Sequence, residues 1–283
     1  MNPPAERILN QAGAWSRLSL HTLAGVGRLA WKQWQELRHA AAVIGTVFCV
    51  SVWPFYWKPA VRRALARQVL AIGVEPLWIV GAVAVFAGIS VVVQLTVWVG
   101  EAGQSQLLGP LLVTVVAREL GPVLINLVVI VRSGSVMATE LEVLKINGDI
   151  RALEAQGDDP FLQLVMPRVL GMVVSTFCLT IVFIVVAFAS GFLFAAWTGK
   201  GSRDLFLFAD TVSRAFQPKD VFNILVKSTV PALFAGASCC LGGLEVGGSI
   251  ADIPQATQRA LTRSVAGLFV ISAAVSLLTS LRL

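Results

Sequence analysis

Long apolar runs alternate with shorter polar connections along this chain. Five of the runs are long enough to cross a bilayer, which takes about 20 apolar residues rising about 1.5 Å each. They fall at about residues 76–100, 107–131, 169–197, 221–244 and 260–281, and the last is the least apolar because it opens on polar residues. A further stretch, Ala41 to Trp57, is shorter and ends in Trp53, Pro54, Tyr56 and Trp57. Interfacial aromatics with a proline suit a segment lying among head groups better than a span. Just before the first span, Trp57, Val61, Ala64, Leu65 and Ile72 share an arc of about 100° on a helix, and Lys58, Arg62, Arg63 and Arg67 lie outside it. That pattern predicts an amphipathic interfacial helix whose cations meet head groups, either as a plain anchor or as part of lipid handling. The predicted fold class is an all-α polytopic membrane protein with five transmembrane helices behind that interfacial helix. Residues 1–40 read as a peripheral N-terminal extension, 41–72 as the interfacial segment and 73–283 as the membrane domain.

Composition agrees with a chain whose solvent is largely lipid. Of 283 residues, 56% are hydrophobic and 13% charged, against about 25% charged in a soluble domain, and the mean hydropathy is +0.78. A net charge of +6 raises the question of nucleic acid. The basic residues cluster beside apolar runs, however, where cations set orientation or touch anionic lipid, so no nucleic-acid partner is expected. With the N-terminus cytoplasmic, the inner pieces 1–72, 132–168 and 245–263 carry nine, four and two Lys or Arg. The outer pieces 101–106, 198–220 and the C-terminal tail carry none, four and one, a bias of fifteen against five. The expected topology is N-terminus inside and C-terminus outside. Cys49, Cys178, Cys239 and Cys240 sit in apolar surroundings without CxxC spacing and predict neither disulfides nor a metal site. The first strongly apolar stretch begins only near Ala40, which does not suit a signal peptide.

Polar residues inside the apolar runs carry the candidate chemistry. Arg118-Glu119 falls near the middle of the second run, ahead of Gly121-Pro122. A charge at bilayer depth costs at least about 2.5–3.5 kcal/mol, so it must face protein or water. Neighbouring helical residues point about 100° apart, so each of the two is expected to need its own partner on another helix or in a cavity. Gly121-Pro122 loosens the helix and frees carbonyls there. Either a structural charge network or a substrate path or gate satisfies this pattern. Lys227, ahead of Pro231 in the fourth run, either snorkels to the outer surface or faces a cavity. Gln94 in the first run suits an interhelical hydrogen bond, and the glycines from Gly236 to Gly248 suit close helix packing.

The connection 132–168 is not an ordinary loop. Met137, Leu141, Leu144 and Ile150 recur near helical spacing among Glu140, Glu142, Lys145 and Arg151, with Gly148 as an interruption and Gly157-Asp158-Asp159-Pro160 as a stop. It predicts an amphipathic helix between two spans, either a docking element for a soluble partner or a plain surface helix. No GxxxxGK[ST] is present, because Gly199-Lys200-Gly201-Ser202 lacks the upstream glycine, so ATP is not expected to bind this chain through a P-loop. His21 and His39 lie outside the spans, which leaves no intramembrane histidine chemistry.

Several motifs in series resemble one known family. Ala117-Arg118-Glu119-Leu120-Gly121-Pro122, Arg132-Ser133-Gly134-Ser135, Ala138-Thr139-Glu140-Leu141, the run from Ile150 to Pro160, and Met166-Pro167-Arg168-Val169-Leu170 are similar to the MlaE/YrbE permeases, over about residues 55–281. These are membrane subunits of ABC transporters that work with MCE-domain proteins. The resemblance implies five membrane helices, a preceding interfacial helix and a cytoplasmic coupling helix at about 138–153. It implies as partners a cytoplasmic ABC ATPase dimer, an MCE-domain ring, a small STAS-type regulator and a second permease copy, identical or related. It further implies a bacterial inner-membrane location, with phospholipids or related hydrophobic molecules moved between inner and outer membranes. ATP and Mg would be bound by the partner ATPase, with no cofactor and no catalytic residue in this chain. By position, Arg118 and Glu119 become the charged pair of the lipid path, with Gln94 and Lys227 as further intramembrane candidates. Glu140, Leu141, Leu144, Lys145 and Arg151 become the coupling residues, and Arg62, Arg63 and Arg67 the head-group contacts. The chain departs from the pattern at Val131, at Asn147-Gly148-Asp149, at Ile253 to Gln258, and at Ser272, where an Asp is common. Two other classes remain: an ion-coupled transporter, which would show inverted repeats that five unequal spans do not display, and an assembly subunit without a path.

Overall fold

The computed structural model describes residues 38, 42–47, 59–101, 108–197, 205–245 and 253–281. They fall in two units divided between Gly45 and Thr46. Of the first unit, residues 38 and 42–45 are described, and they are helical. The expectations for 1–40 and 41–57 otherwise lie outside the described residues.

The second unit is helical throughout its described elements, with five helices long and apolar enough to cross a membrane. Helix α1 (Pro59–Gly73) leads through a turn into α2 (Leu77–Glu101). The next helix, α3, runs unbroken over residues 108–146. A short α4 (Asp149–Ala155) follows, then α5 (Phe161–Trp197), a second short helix α6 (Leu205–Ala215), and the last two spans α7 (Pro218–Leu244) and α8 (Ile253–Leu281). Along α1, Val61 and Ile72 are buried and Arg62, Arg63 and Arg67 are exposed. The amphipathic pattern therefore has a definite inner face, which α5 covers.

The bundle is apolar on its outside. Trp78, Phe86, Val185, Leu193 and Leu277 are all exposed, the surface expected where lipid replaces water. Association of such helices depends on close backbone approach rather than on hydrophobic burial. Accordingly α2 and α5 cross where Gly88 lies against Ala187 and Gly191 against Val92, and a methyl group at either glycine would collide with the facing helix. Helix α7 is the most enclosed span, packed by α3, α5 and α8.

Two features of α3 differ from the sequence reading. Its apolar run ends near Val131, but the helix continues to Ile146, because backbone hydrogen bonding does not stop where hydrocarbon stops. The stop comes at Asn147-Gly148, where Gly148 takes φ of +82°, a left-handed conformation that suits glycine. The element expected at about 138–153 is thus two pieces: the end of α3, and α4. Helix α3 is also wound loosely at Val113–Leu120 and Ile130–Gly134, where bonds reach back five residues, as from the Gly121 N–H to the Val116 carbonyl. The first loose stretch holds Arg118 and Glu119 and ends two residues before Pro122, which has no N–H to return to the preceding turn.

Pro231 makes the same demand on α7, leaving the carbonyl of Lys227 without its helical donor. Asn126 of α3 supplies one. Its Nδ2 donates to the Lys227 carbonyl at 3.2 Å and to its own Pro122 carbonyl at 2.8 Å, in a fully buried position. An interhelical bond of this kind in a membrane contributes about 0.6 to 1.7 kcal/mol. Asn126→Leu is expected to lower unfolding stability in detergent by about 1 kcal/mol and to loosen α3 from α7. Thermal unfolding of the purified protein measures the loss, and an unchanged transition would refute the bridging role.

Candidate functional site

Two ion pairs in series join α3 to α7 and α8. Arg118 points one way and its Nη2 pairs with Oδ1 of Asp220, which is fully buried in the first turn of α7. Asp220 is held there by the Gln217 backbone N–H, which donates to its Oδ2 at 2.8 Å. Glu119 points the other way. Its Oε1 lies 2.6 Å from Nζ of Lys227, and the same ammonium donates to Oγ of Ser276 on α8, also at 2.6 Å. Ser276 lies 3.2 and 3.3 Å from the two Glu119 oxygens and 3.0 Å from the Ser272 carbonyl.

The spacing explains how three helices build one polar wall. On α7, Asp220, Asn223 and Lys227 share a face, and on α8 Ser272, Ser276 and Thr279 do the same. Asn223 donates to Thr279 at 3.4 Å, continuing the contact between those faces. Lys227 is about nine residues into α7, or roughly 14 Å along its axis, and a hydrocarbon core is about 30 Å thick. Its side chain has no exposed surface, whereas Glu119 keeps 46% of its own exposed. The ammonium is therefore turned inward and does not snorkel. Glu119 is the member of the cluster that offers a polar atom outward.

The remaining sequence candidates are placed elsewhere. Gln94 is exposed on α2 and, among the described residues, makes no side-chain hydrogen bond and stands apart from the charge cluster. Leu141 is fully buried beside Gly243 of α7, which corrects its reading as a contact for a soluble partner: it belongs to the α3–α7 packing. Glu142, expected on a polar face, is buried as well, its two oxygens accepting from Oγ1 of Thr257 at 3.2 and 3.1 Å. Glu140 is engaged within the chain, 3.0 Å from Nη2 of Arg168. Lys145 donates to the Leu244 carbonyl at 2.5 Å. Leu144 is half-buried, and Arg151 is exposed on α4, a helix with no buried residue.

Asp220 and Ser276 were missed from sequence. Asp220 stands at a helix start, where an acid is expected for capping alone, and Ser276 is one of several serines in an apolar run. The signal that points to Asp220 is Arg118 itself, which needs an anionic partner at depth. Glu119 finds its partners on α7 and α8, at Lys227 and Ser276.

The described fold has five helices long and apolar enough to cross a membrane, with polar groups tied across them. Comparison with known proteins specifies the class: residues 65–278 match the family Permease MlaE, and the chain belongs to that family. It is 23% identical over 242 residues to a probable ABC transporter permease protein of Rickettsia prowazekii, covering 86% of this chain and 93% of that one. It is 27% identical over 212 residues to the intermembrane phospholipid transport system permease protein MlaE of Haemophilus influenzae, covering 73% and 80%. It is also 26% identical over 208 residues to the chloroplastic protein trigalactosyldiacylglycerol 1 of Arabidopsis thaliana, covering 74% and 59%.

Removing one partner of a buried ion pair strands the other, at about 3–5 kcal/mol, whereas replacing both by apolar or neutral groups is often close to neutral. Lys227→Met and Glu119→Gln are each expected to destabilise the protein, Glu119→Gln the more because it leaves the enclosed ammonium unpaired. The double variant is expected to recover most of the loss. Additive losses in a double-mutant cycle of unfolding free energies would contradict the pairing.

Proposed function

We propose that this chain is the membrane-spanning permease subunit of an ABC transporter that moves phospholipids or related hydrophobic molecules between the inner and outer membranes of a bacterium. Family membership supports the class, and the half-exposed Glu119 held by Lys227 supports the kind of cargo. A carboxylate that keeps an open side at bilayer depth needs water or a polar ligand beside it. The head group of an amphiphile meets that need while its tails remain against the apolar helix surfaces.

In this reading the chain binds no nucleotide, and ATP with Mg is handled by a cytoplasmic ABC ATPase dimer. The excess of Lys and Arg on the side of α1 and α4 supports a cytoplasmic position for that side and a periplasmic C-terminus. The coupling surface is then α4 with the adjoining turn, not the buried face of α3. Ile150 and Arg151 lie on a short helix that joins α3 through the turn at Asn147-Gly148, and a push on it is passed on as a rigid-body movement of α3. Because α3 carries Arg118 and Glu119, that movement reaches the charge cluster directly. On the opposite side, Phe206 and Leu207 of α6 are exposed, a surface suited to the MCE-domain ring. A second permease copy and a small STAS-type regulator complete the proposed assembly.

Two outcomes test the proposal. Reconstituted with its ATPase and MCE partners in proteoliposomes, Glu119→Gln should lower ATP-driven lipid transfer about tenfold, or about 1.4 kcal/mol in barrier, with the complex still assembled. Undiminished transfer would exclude Glu119 from the path. Ile150→Asp with Arg151→Glu should release the ATPase on purification while the permease stays folded. Retention of the ATPase would rule out α4 as the docking element.

A further inference from the structure

The structure assigns a second, separate lipid contact: a phosphate-binding niche between α1 and the first turn of α5, formed by Arg63, Arg67 and Gln163, that holds the head group of an anionic phospholipid. Arg63 and Arg67 are one helical turn apart, and with Ala64 and Gln163 they line a recess of about 270 Å³, near the lower limit of about 300 Å³ for small-ligand sites. Its walls are fixed in relation to one another. Helix α1 lies against α5 so closely that Gly171 leaves room only for the Gln68 side chain, and Ser175 Oγ donates to the Val69 carbonyl at 3.3 Å.

Two observations separate this recess from a merely basic surface. Arg118, Arg132, Arg168, Arg214 and Arg263 each sit beside a carboxylate, whereas Arg62, Arg151 and Arg259 lack one among the described residues but do not line this recess. Arg63 and Arg67 have no carboxylate partner among the described residues, so two guanidinium forks and a carboxamide face the same small space without an anion. Paired arginine forks match the oxygens of a phosphate. The second observation is the stripe they belong to. Positions 63, 67, 70 and 74 follow one another at helical spacing on one face, and the stripe changes from cations to Leu70 and Val74, which are 59% and 60% exposed. Trp78, exposed just beyond, marks the boundary with the hydrocarbon. A phosphodiester seated on Arg63 and Arg67 would place its acyl chains along Leu70 and Val74. Inorganic phosphate satisfies only the polar half of that surface, and Arg62, although exposed beside Arg63, does not line the recess.

The test is a binding titration on the purified full chain in neutral detergent, using short-chain phosphatidylglycerol, short-chain phosphatidylcholine and inorganic phosphate as separate probes. Phosphatidylglycerol should bind most tightly. Arg63→Gln with Arg67→Gln should weaken it about tenfold or more, as loss of charge-assisted bonds requires, and Gln163→Ala should weaken it less. Lys219→Gln with Arg259→Gln removes the same charge from two other exposed positions and should change affinity less than about twofold, since no specific bond is lost. Equal weakening by both pairs would reduce the niche to general surface charge and overturn the proposal. Inorganic phosphate binding as tightly as phosphatidylglycerol would overturn the lipid assignment. Thermal unfolding of each variant keeps a loss of binding distinct from a loss of fold.

Discussion

An unpaired charge in the middle of a bilayer costs several kcal/mol, and a helix that carries one must meet a partner or water before it can be stable there. This chain places an arginine and a glutamate side by side on α3, and the geometry of a helix prevents them from neutralising each other. The bundle answers by bringing Asp220 to Arg118 and Lys227 with Ser276 to Glu119. Much of the packing follows from that requirement. Helix α7 has to be the enclosed span because it supplies both counter-charges, and α8 has to lie beside it to offer the serine.

The proline positions belong to the same arrangement. Pro122 and Pro231 each remove a donor from a helix in which every backbone group needs one. The loosened turn of α3 is where the two charges sit, and the orphaned carbonyl of Lys227 is taken by Asn126. Residues that break the helix ladder are thereby coupled to the residues that carry charge, and α3 is fastened to α7 by side chain and backbone together. Sequence alternation of this kind, a charge followed by a helix breaker, marks a place where a span is meant to be irregular and its neighbours are built to compensate.

Hydropathy made the five-span, all-helical architecture legible, since runs such as 76–100 and 221–244 lie within a few residues of Leu77–Glu101 and Pro218–Leu244. It read α3 less well. Periodicity put Leu141 and Glu142 on the surface of a separate helix, whereas α3 carries them past the bilayer and buries both against α7 and α8. Helical spacing alone cannot say which face of a helix meets its neighbour when small residues on that neighbour, here Gly243, set the approach. The need of Arg118 and Glu119 for separate partners followed from helix geometry alone. The identity of Asp220 did not, because its place at a helix start is explained equally well by capping.

Taken together, the pairs hold three spans in register while leaving one oxygen-bearing group of the cluster open, and that asymmetry between Lys227 and Glu119 is what gives the permease a polar point of contact in an apolar wall. The most direct measurement is an infrared difference spectrum in lipid bilayers between the wild-type protein and Glu119→Gln. The account predicts loss of an ionised carboxylate band, the state that the pairing with Lys227 requires. Loss of a protonated carboxyl band instead would show a neutral residue and would contradict it.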